Sequence, residues 1–281
     1  MIDERTLKSA EVLFELANAE DIGEGDITTN NLVHPDIIKT AVLISKDEGI
    51  VAGLPIAKMV FKKFDKDIEW NEKLPDGSRI KPGDILVEFR GHYRALLTGE
   101  RKALNFLQRL SGIATYADKC MKEVEGHDVE IMDTRKTLPG YRFMDKYAVR
   151  MGGASNHRFG LYDMVMIKNN HIQVAGGIKK AVEAIRSKIP ENIQIEVETS
   201  TLSQVQEALD AGVDIIMLDN MTSGMMKEAV KLINKRAKIE ASGNMTLKRI
   251  HKVAATGVDY ISIGALTHSV KALDISQRII D

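Results

Sequence analysis

Apolar and polar residues follow two different patterns along the chain, and the change comes near residue 90. Before it, short alternating runs such as "TAVLISKDEGIVAGL" and "DIEWNEKLPDGSRIKPGDILVEFRG" are separated by Pro-Asp-Gly and Pro-Gly-Asp turns. This pattern predicts a small, largely antiparallel sheet. The N-terminal run "MIDERTLKSAEVLFELANAE" carries charges from Asp3 onward, so we expect an amphipathic helix there and not a signal peptide.

A long helix is predicted next. From Leu96 to about Val124 the apolar residues recur at helical spacing. Thr98 is then the expected N-cap, with Arg101 and Lys102 in the first turn. We expect this helix to join the two halves of the chain.

After residue 128, strand-like runs alternate with amphipathic helices. The runs are "VEIMDT", "DMVMIKNN", "IQIEVET", "DIIMLDN", "KIEASGN" and "DYISIGA", and the last four begin roughly 20 residues apart, a spacing typical of parallel β-α units. "AGVD" at 211 and "TGVD" at 256 each place a glycine between a helix and the next strand. The pattern predicts a closed or nearly closed α/β barrel, with an open doubly wound sheet as the alternative.

Composition limits the possible partners. Lys and Arg number 39 against 40 Asp and Glu, so no overall basic field draws the chain to nucleic acid or to an anionic membrane. The most apolar stretch, "GIVAGLPIA", is too short to span a bilayer. The single cysteine, Cys120, excludes an internal disulfide and suits a reducing compartment. We therefore expect a cytoplasmic protein that binds neither nucleic acid nor membrane.

Candidate chemistry gathers at the predicted strand ends, where α/β barrels place their active sites. Each strand body is apolar and each end is polar: the ends carry Asp133, Thr134, Arg135, Lys136, Lys168, Asn169, Asn170, His171, Glu196, Glu198, Asp219, Asn220, Glu240, Ser242, Gly243 and Gly264. "IMDTRKTLPGYR" is one such end, and "YAVRMGGASNHRFGLYD" adds His157 and Arg158.

These side chains indicate a phosphorylated sugar as ligand. Their cations favour a polyanion, whereas Glu198 and Asp219 suit a divalent cation or sugar hydroxyls. "SGN" and "SIGA" offer small residues and backbone N–H groups where such barrels bind phosphate.

Motifs along almost the whole chain resemble one family. "DTRKTLPGYR", "KYAVRMGGASNHRFGLYDMVMIKNNHI", "IEVET", "IMLDN", "EASGN" and "GVDYISIGALTHS" match, in order and spacing, the quinolinate phosphoribosyltransferases, also called carboxylating nicotinate-nucleotide pyrophosphorylases. "EDIGEGDITTNNL" and "GERKALNFLQRLSGIAT" resemble the family's N-terminal motifs.

The resemblance implies a fold and an activity. The fold is an N-terminal α/β sandwich domain, residues 1–110, and an open, roughly seven-stranded α/β barrel, residues 111–281, whose C-terminal tail packs back on the first domain. The activity joins quinolinate to phosphoribosyl pyrophosphate, yielding nicotinate mononucleotide for NAD synthesis, pyrophosphate and carbon dioxide. Mg²⁺ would be held chiefly by pyrophosphate, near Glu198 and Asp219, and not by the protein alone.

The resemblance also implies roles for individual residues. The substrate pocket would be lined by Thr134, Arg135, Lys136, His157, Arg158 and Lys168, with Glu198 and Asp219 facing the ribose; Lys136, Lys168, Glu198 and Asp219 would be catalytic. The 5′-phosphate would lie against Ser242, Gly243, Gly264 and His268. Arg101 would reach the site of a partner subunit in a dimer or a dimer-based hexamer.

Departures from the family pattern are Leu138, "GGAS" and Asn169, none of which removes a charged ligand.

Three rival functions remain open at this point. One is a Schiff-base lyase using Lys168, the second is the related pyrophosphorylase-like protein associated with molybdenum transport, and the third is a non-enzymatic binding barrel.

Overall fold

The computed structural model describes residues 2–281. In chain order the elements are α1 (Glu4–Ile22), α2 (Ile27–Leu32), β1 (Ile38–Ser45), β2 (Gly49–Ile50), α3 (Leu54–Phe64), β3 (Glu69–Glu72), β4 (Arg79–Ile80), β5 (Ile85–His92), α4 (Tyr93–Lys122), β6 (Glu130–Met132), α5 (Arg142–Met151), β7 (Val165–Ile167), α6 (Asn169–Ala175), α7 (Ile178–Arg186), β8 (Ile195–Thr199), α8 (Leu202–Asp210), β9 (Ile215–Asp219), α9 (Ser223–Ile233), β10 (Lys238–Ser242), α10 (Leu247–Ala254), β11 (Tyr260–Ser262), α11 (Ala265–His268) and β12 (Ile275–Ile279).

The chain forms two compact units, each built from separated segments. The first takes in the chain up to Asp118, Thr137–Gly153 and Thr267–Asp281, and the second takes in Lys119–Lys136 and Ala154–Leu266. The domain boundary at residue 110 that the resemblance implies stays a prediction.

An antiparallel sheet organises the first unit, as the alternating pattern predicts. Its order is β12-β1-β5-β3, and β2 and β4 form a separate short ladder. β12 pairs with β1 from Ala41↔Ile279 to Ser45↔Ile275, so the C-terminal segment is an integral strand of this unit. Phe61 and Phe89 are buried and lie against each other with ring centroids 4.7 Å apart, which anchors α3 to the sheet.

The long helix α4 begins earlier than predicted. Its first residue is Tyr93, directly after β5, so Thr98 is not the N-cap and Arg101 is not in the first turn. Ala95 and Leu96 are buried and extend the apolar face toward β5, which leaves no break for a cap at Thr98. The Thr98 hydroxyl instead donates to Asp26 Oδ2 at 3.2 Å.

The second unit contains the parallel sheet, and all six predicted strands are present. Their order is β6-β11-β10-β9-β8-β7, so neighbours in the sheet follow one another along the chain except where β6 joins β11. A doubly wound sheet would reverse this order part-way, so the barrel prediction is confirmed. Among residues 2–281 the sheet has six strands, where the resemblance implies roughly seven, and Ser155 adds a single parallel bridge to Met132 of β6.

Glycine conformations at two helix ends are as the repeated motif predicts. Gly212 and Gly257 have φ of 68° and 91°, values that side chains with a Cβ rarely adopt. Within residues 2–281, no helix combines the length and apolar content needed to cross a membrane.

Candidate active site

A cavity of about 560 Å³ opens at the carboxyl ends of the parallel strands of the second unit. Twelve residues that the sequence analysis names as candidates line it, namely Thr134, Arg135, Lys136, His157, Arg158, Lys168, Glu198, Asp219, Asn220, Glu240, Ser242 and Gly243. Because strand ends from distant parts of the sequence meet at one edge of the sheet, these side chains converge without being neighbours in the chain.

The cations occupy the wall formed by the two edge strands. Arg135 and Lys136 follow β6, Arg158 lies between β6 and β7, and Lys168 follows β7. Arg158 Nη1 donates to the Met164 carbonyl at 2.8 Å, which fixes its guanidinium. Burial, and then the charge of Arg135, lower the pKa of Arg158. Two guanidiniums close enough to repel each other form a site that an anion stabilises.

The acids occupy the adjacent wall. Lys168 Nζ lies 3.2 Å from Glu198 Oε2, and Asn169 Nδ2 lies 3.4 Å from Glu198 Oε1, so both oxygens of this carboxylate face donors from the end of β7. Asn220 Nδ2 donates to Asp219 Oδ2 at 2.8 Å and orients the second acid. The two walls thus present charges of opposite sign across one cavity.

Gly243 shapes the loop after β10. Its φ is +94°, and a Cβ at this position would collide with Asn220. Arg249 holds the loop by donating to the Gly243 carbonyl at 2.7 Å and to the Met221 carbonyl at 2.8 Å. The result is a small-residue concavity beside Ser242, with room for a compact anion such as phosphate.

Beneath the cations lies a buried trio that the sequence did not predict as a unit: His157, Glu196 and Glu240. His157 Nε2 is 3.2 Å from Glu196 Oε2 and 3.2 Å from Glu240 Oε2. Burial lowers the pKa of His157, but hydrogen bonds and charges from both glutamates outweigh it and raise the pKa to about 10. Burial raises the pKa of Glu196 to about 7, although His157 opposes the shift.

These three side chains are also close enough together to hold a metal ion. The ring contacts favour a proton instead. His157 Nε2 lies 3.2 Å from an oxygen of each glutamate, so it carries a hydrogen that points between the carboxylates. A metal ion bound at Nε2 would require that nitrogen to be free of its hydrogen.

Family models match both halves of the chain. The model described as "Quinolinate phosphoribosyl transferase, N-terminal domain" matches residues 26–111, and the corresponding C-terminal domain matches residues 113–278. This chain belongs to the quinolinate phosphoribosyltransferase family.

Similar proteins include two named "Probable nicotinate-nucleotide pyrophosphorylase [carboxylating]". The one from Bacillus subtilis is 44% identical over 92% of this chain and 90% of its own length. The one from Synechocystis is 45% identical over 93% and 90%. The crystal structure of NadC from Streptococcus pyogenes superposes with a TM-score of 0.94 at 40% identity, covering 98% of this chain and 99% of that one.

Three residues to which the family resemblance assigns a role do not line the cavity. Gly264 follows β11 in the second unit but is not part of the cavity wall. His268 and Arg101 are exposed and belong to the first unit. Their roles in this family member stay predictions.

Sequence reasoning missed the residues that arrange the loops. Arg249 joins two strand-end loops and Asn244 Nδ2 donates to Asn220 Oδ1 at 3.1 Å. Asn220 and Asn244 both have positive φ, at 55° and 50°. The one available signal was that Asn tolerates this conformation better than most residues, so "DN" and "GN" after strands indicate tight turns.

Proposed function

We propose that the protein transfers the phosphoribosyl group of phosphoribosyl pyrophosphate to the ring nitrogen of quinolinate, releasing pyrophosphate and carbon dioxide and forming nicotinate mononucleotide for NAD biosynthesis. The observation that carries the proposal is the cavity with cations on one wall and carboxylates on the next. One substrate is a dicarboxylate and the other joins anionic phosphates to a sugar diol, so both charge types are needed.

Quinolinate binds at the cationic wall. Arg135 and Arg158 form paired contacts with its two carboxylates, since guanidinium and carboxylate match in planar geometry. His157 lies beneath them, and Thr134 lies beside Arg135. Lys136 and Lys168 are positioned to face the pyrophosphate as well as the dicarboxylate.

Phosphoribosyl pyrophosphate binds against the remaining walls. Glu198 and Asp219 accept hydrogen bonds from the ribose hydroxyls, and the concavity at Ser242 and Gly243 takes the 5′-phosphate. In the proposal Gly264 and His268 complete this phosphate site, as the family resemblance implies. The Lys168–Glu198 ion pair keeps the catalytic cation at the boundary of the two substrates.

Catalysis is alignment and charge stabilisation, without a covalent protein intermediate. The ring nitrogen attacks the anomeric carbon as the bond to pyrophosphate breaks through an oxocarbenium-like state, which Glu198 and Asp219 stabilise while Lys136 and Lys168 balance the leaving charge. The ring is then cationic and stabilises the carbanion left when carbon dioxide departs. A proton replaces the lost carboxylate.

Mg²⁺ fits this cavity as a partner of pyrophosphate. Glu198 is already paired with Lys168, and Asp219 with Asn220, so the wall offers carboxylates near the pyrophosphate without a dedicated set of protein ligands. Glu198 and Asp219 would lie near an Mg²⁺ ion bound in this way, which would neutralise charge on the leaving group.

The proposal includes a homo-oligomer, a dimer or a dimer-based hexamer, in which Arg101 reaches the site of the partner subunit. Arg101 is exposed on α4, where an arginine is available to a second copy. It also includes a cytoplasmic location, with which the single buried Cys120 is compatible.

Labelled carbon dioxide tests the proposal. Quinolinate labelled in its 2-carboxylate should release label only when phosphoribosyl pyrophosphate is present, and nicotinate should not be converted, because it lacks the carboxylate that engages the second guanidinium and then leaves. Equal turnover of nicotinate would refute the assignment.

Borohydride trapping tests the rival Schiff-base lyase. Trapping of substrate on Lys168 would support the lyase. Lys168 is half-exposed and ion-paired, however, so it lacks the desolvation that activates an amine nucleophile.

A further inference from the structure

The buried carboxylates of Glu196 and Glu240 have very little compensation. Both side chains are fully buried inside the barrel, on β8 and β10. Apart from the contacts to His157 Nε2, none of their four oxygens has a hydrogen-bond partner among residues 2–281. Removing two carboxylates from water is strongly unfavourable. The contact that offsets this cost is the one with the His157 ring.

What the pair holds is a ring between two cavities. His157 lines the cavity at the carboxyl ends of the strands and also a second cavity of about 500 Å³, which reaches the amino ends at Gln194 and Ile215. The ring is therefore part of the floor of the proposed active site. If it moved toward the second cavity, the floor would open.

Further contacts fix the backbone next to the ring. The His157 backbone N–H donates to Asp133 Oδ1 at 3.0 Å, and the Arg158 backbone nitrogen lies 2.7 Å from His157 Nδ1. Three buried acids, from β8, from β10 and from the end of β6, thus converge on one residue. Arg158 is the next residue along the chain, and like His157 it lines both cavities.

We propose that Glu196 and Glu240 are positioning residues of the active site: they clamp the His157 ring from below and thereby hold Arg158 where it binds the dicarboxylate. Glu240 also borders the cavity, but its buried carboxylate lies against His157, so both glutamates act through the ring. This inference rests on the proposed function, because it concerns how quinolinate is bound.

The proposal predicts a substrate-selective defect. Glu196→Gln and Glu240→Gln keep the side-chain volume but remove the negative charge that holds the Nε2 hydrogen. The KM for quinolinate should rise about tenfold or more, whereas the KM for phosphoribosyl pyrophosphate should stay within about twofold of wild type. Glu240→Asp, which keeps the charge, should recover part of the quinolinate affinity.

Glu130→Gln is the matched control. Glu130 begins β6 and is exposed, and it accepts from Ser155 Oγ at 2.8 Å, outside the trio. Its two KM values should match wild type. Thermal denaturation of each variant identifies any that fails to fold, and in that case the remaining glutamate variant and Glu240→Asp decide the outcome.

Two results would overturn the proposal. One is an unchanged KM for quinolinate in both glutamine variants. The other is an equal rise in the KM for both substrates together with a lowered melting temperature, which would indicate a purely structural role.

Nitrogen NMR of the His157 ring separates this test from the proposed function. If the wild-type enzyme releases no carbon dioxide, the function fails, yet the ring signals must still shift in both glutamine variants if the glutamates clamp His157.

Discussion

Lys168 and Glu198 form an ion pair across the ends of β7 and β8, with 3.2 Å between Nζ and Oε2. The lysine is half-exposed, whereas the carboxylate is largely covered. The pair lies where the cationic and acidic walls of the cavity meet, so it is placed to contact both substrates of the proposed reaction. An exposed pair of this type contributes little to stability, which points to a role in binding and catalysis.

Lys168→Met should therefore abolish most activity and leave folding almost intact. We expect kcat/KM to fall by a factor of about 10 to 100 or more, which corresponds to the loss of one or two charge-assisted contacts. The assay is release of labelled carbon dioxide, with the melting temperature measured in parallel. Lys179→Met is the control, because Lys179 is also an exposed, ion-paired lysine but lies on α7, outside the cavity. Its Nζ is 4.0 Å from Glu183 Oε1. Similar losses in both variants would contradict the assignment.

Gly243→Ala should impair phosphoribosyl pyrophosphate binding and lower stability. The new Cβ meets Asn220, and φ of +94° is strained for alanine, so we expect destabilisation of about 1 to 3 kcal/mol. Binding of phosphoribosyl pyrophosphate by calorimetry and denaturant unfolding check the two effects. Gly224→Ala in α9 is the control, since its Cβ would meet only Thr222 Oγ1 at 3.8 Å. A Gly243→Ala protein with normal affinity would show that this loop does not hold the phosphate.

Stability should fall as the pH rises above neutrality, because of His157. Its pKa is raised from 6.5 to about 10 in the folded protein, so the folded state binds the proton more tightly than the unfolded chain. The stabilisation is complete below pH 6.5 and is lost as the pH rises to about 10. The charged groups facing the ring are Glu196 and Glu240, with Asp133 and Arg158 beside it.

Urea unfolding at pH 7 and pH 9.5 measures this loss. The wild-type midpoint should fall by more than that of His157→Gln, which lacks the titrating ring, and His127→Gln should behave as wild type. Equal pH dependence in wild type and His157→Gln would mean that His157 does not retain the extra proton.

Arg101→Ala tests whether the active site is shared between subunits. Truncating a charge-assisted contact should weaken quinolinate binding by about 1.5 to 3 kcal/mol with little effect on stability, because Arg101 is exposed in the single chain. Mixing inactive Arg101→Ala subunits with inactive Lys136→Ala subunits should restore activity, since some mixed dimers regain one complete site. If labelled subunits exchange and activity does not return, the cross-subunit role is wrong.

Local patterns in the sequence were sufficient for the elements and for most of the site. The six parallel strands follow from apolar runs that end in polar residues, and Lys168 and Glu198 stand at two of those ends. Gly212 and Gly257 end helices as their motif predicts. Thr98 shows where such reasoning fails, because burial of Ala95 and Leu96 continues α4 back to β5 past a residue with good capping propensity.

Sequence alone determined that a cation-rich and an acid-rich set of strand ends exists, because charge placement and strand periodicity are local properties of the chain. Only the tertiary structure decided which buried groups meet. Glu196 and Glu240 each read singly as one more polar strand-end residue, and His157 lies in a segment between two other strands, far from both in sequence. The parallel sheet brings Nε2 to 3.2 Å from both carboxylates, and the protonation of the trio depends on that proximity in a buried interior.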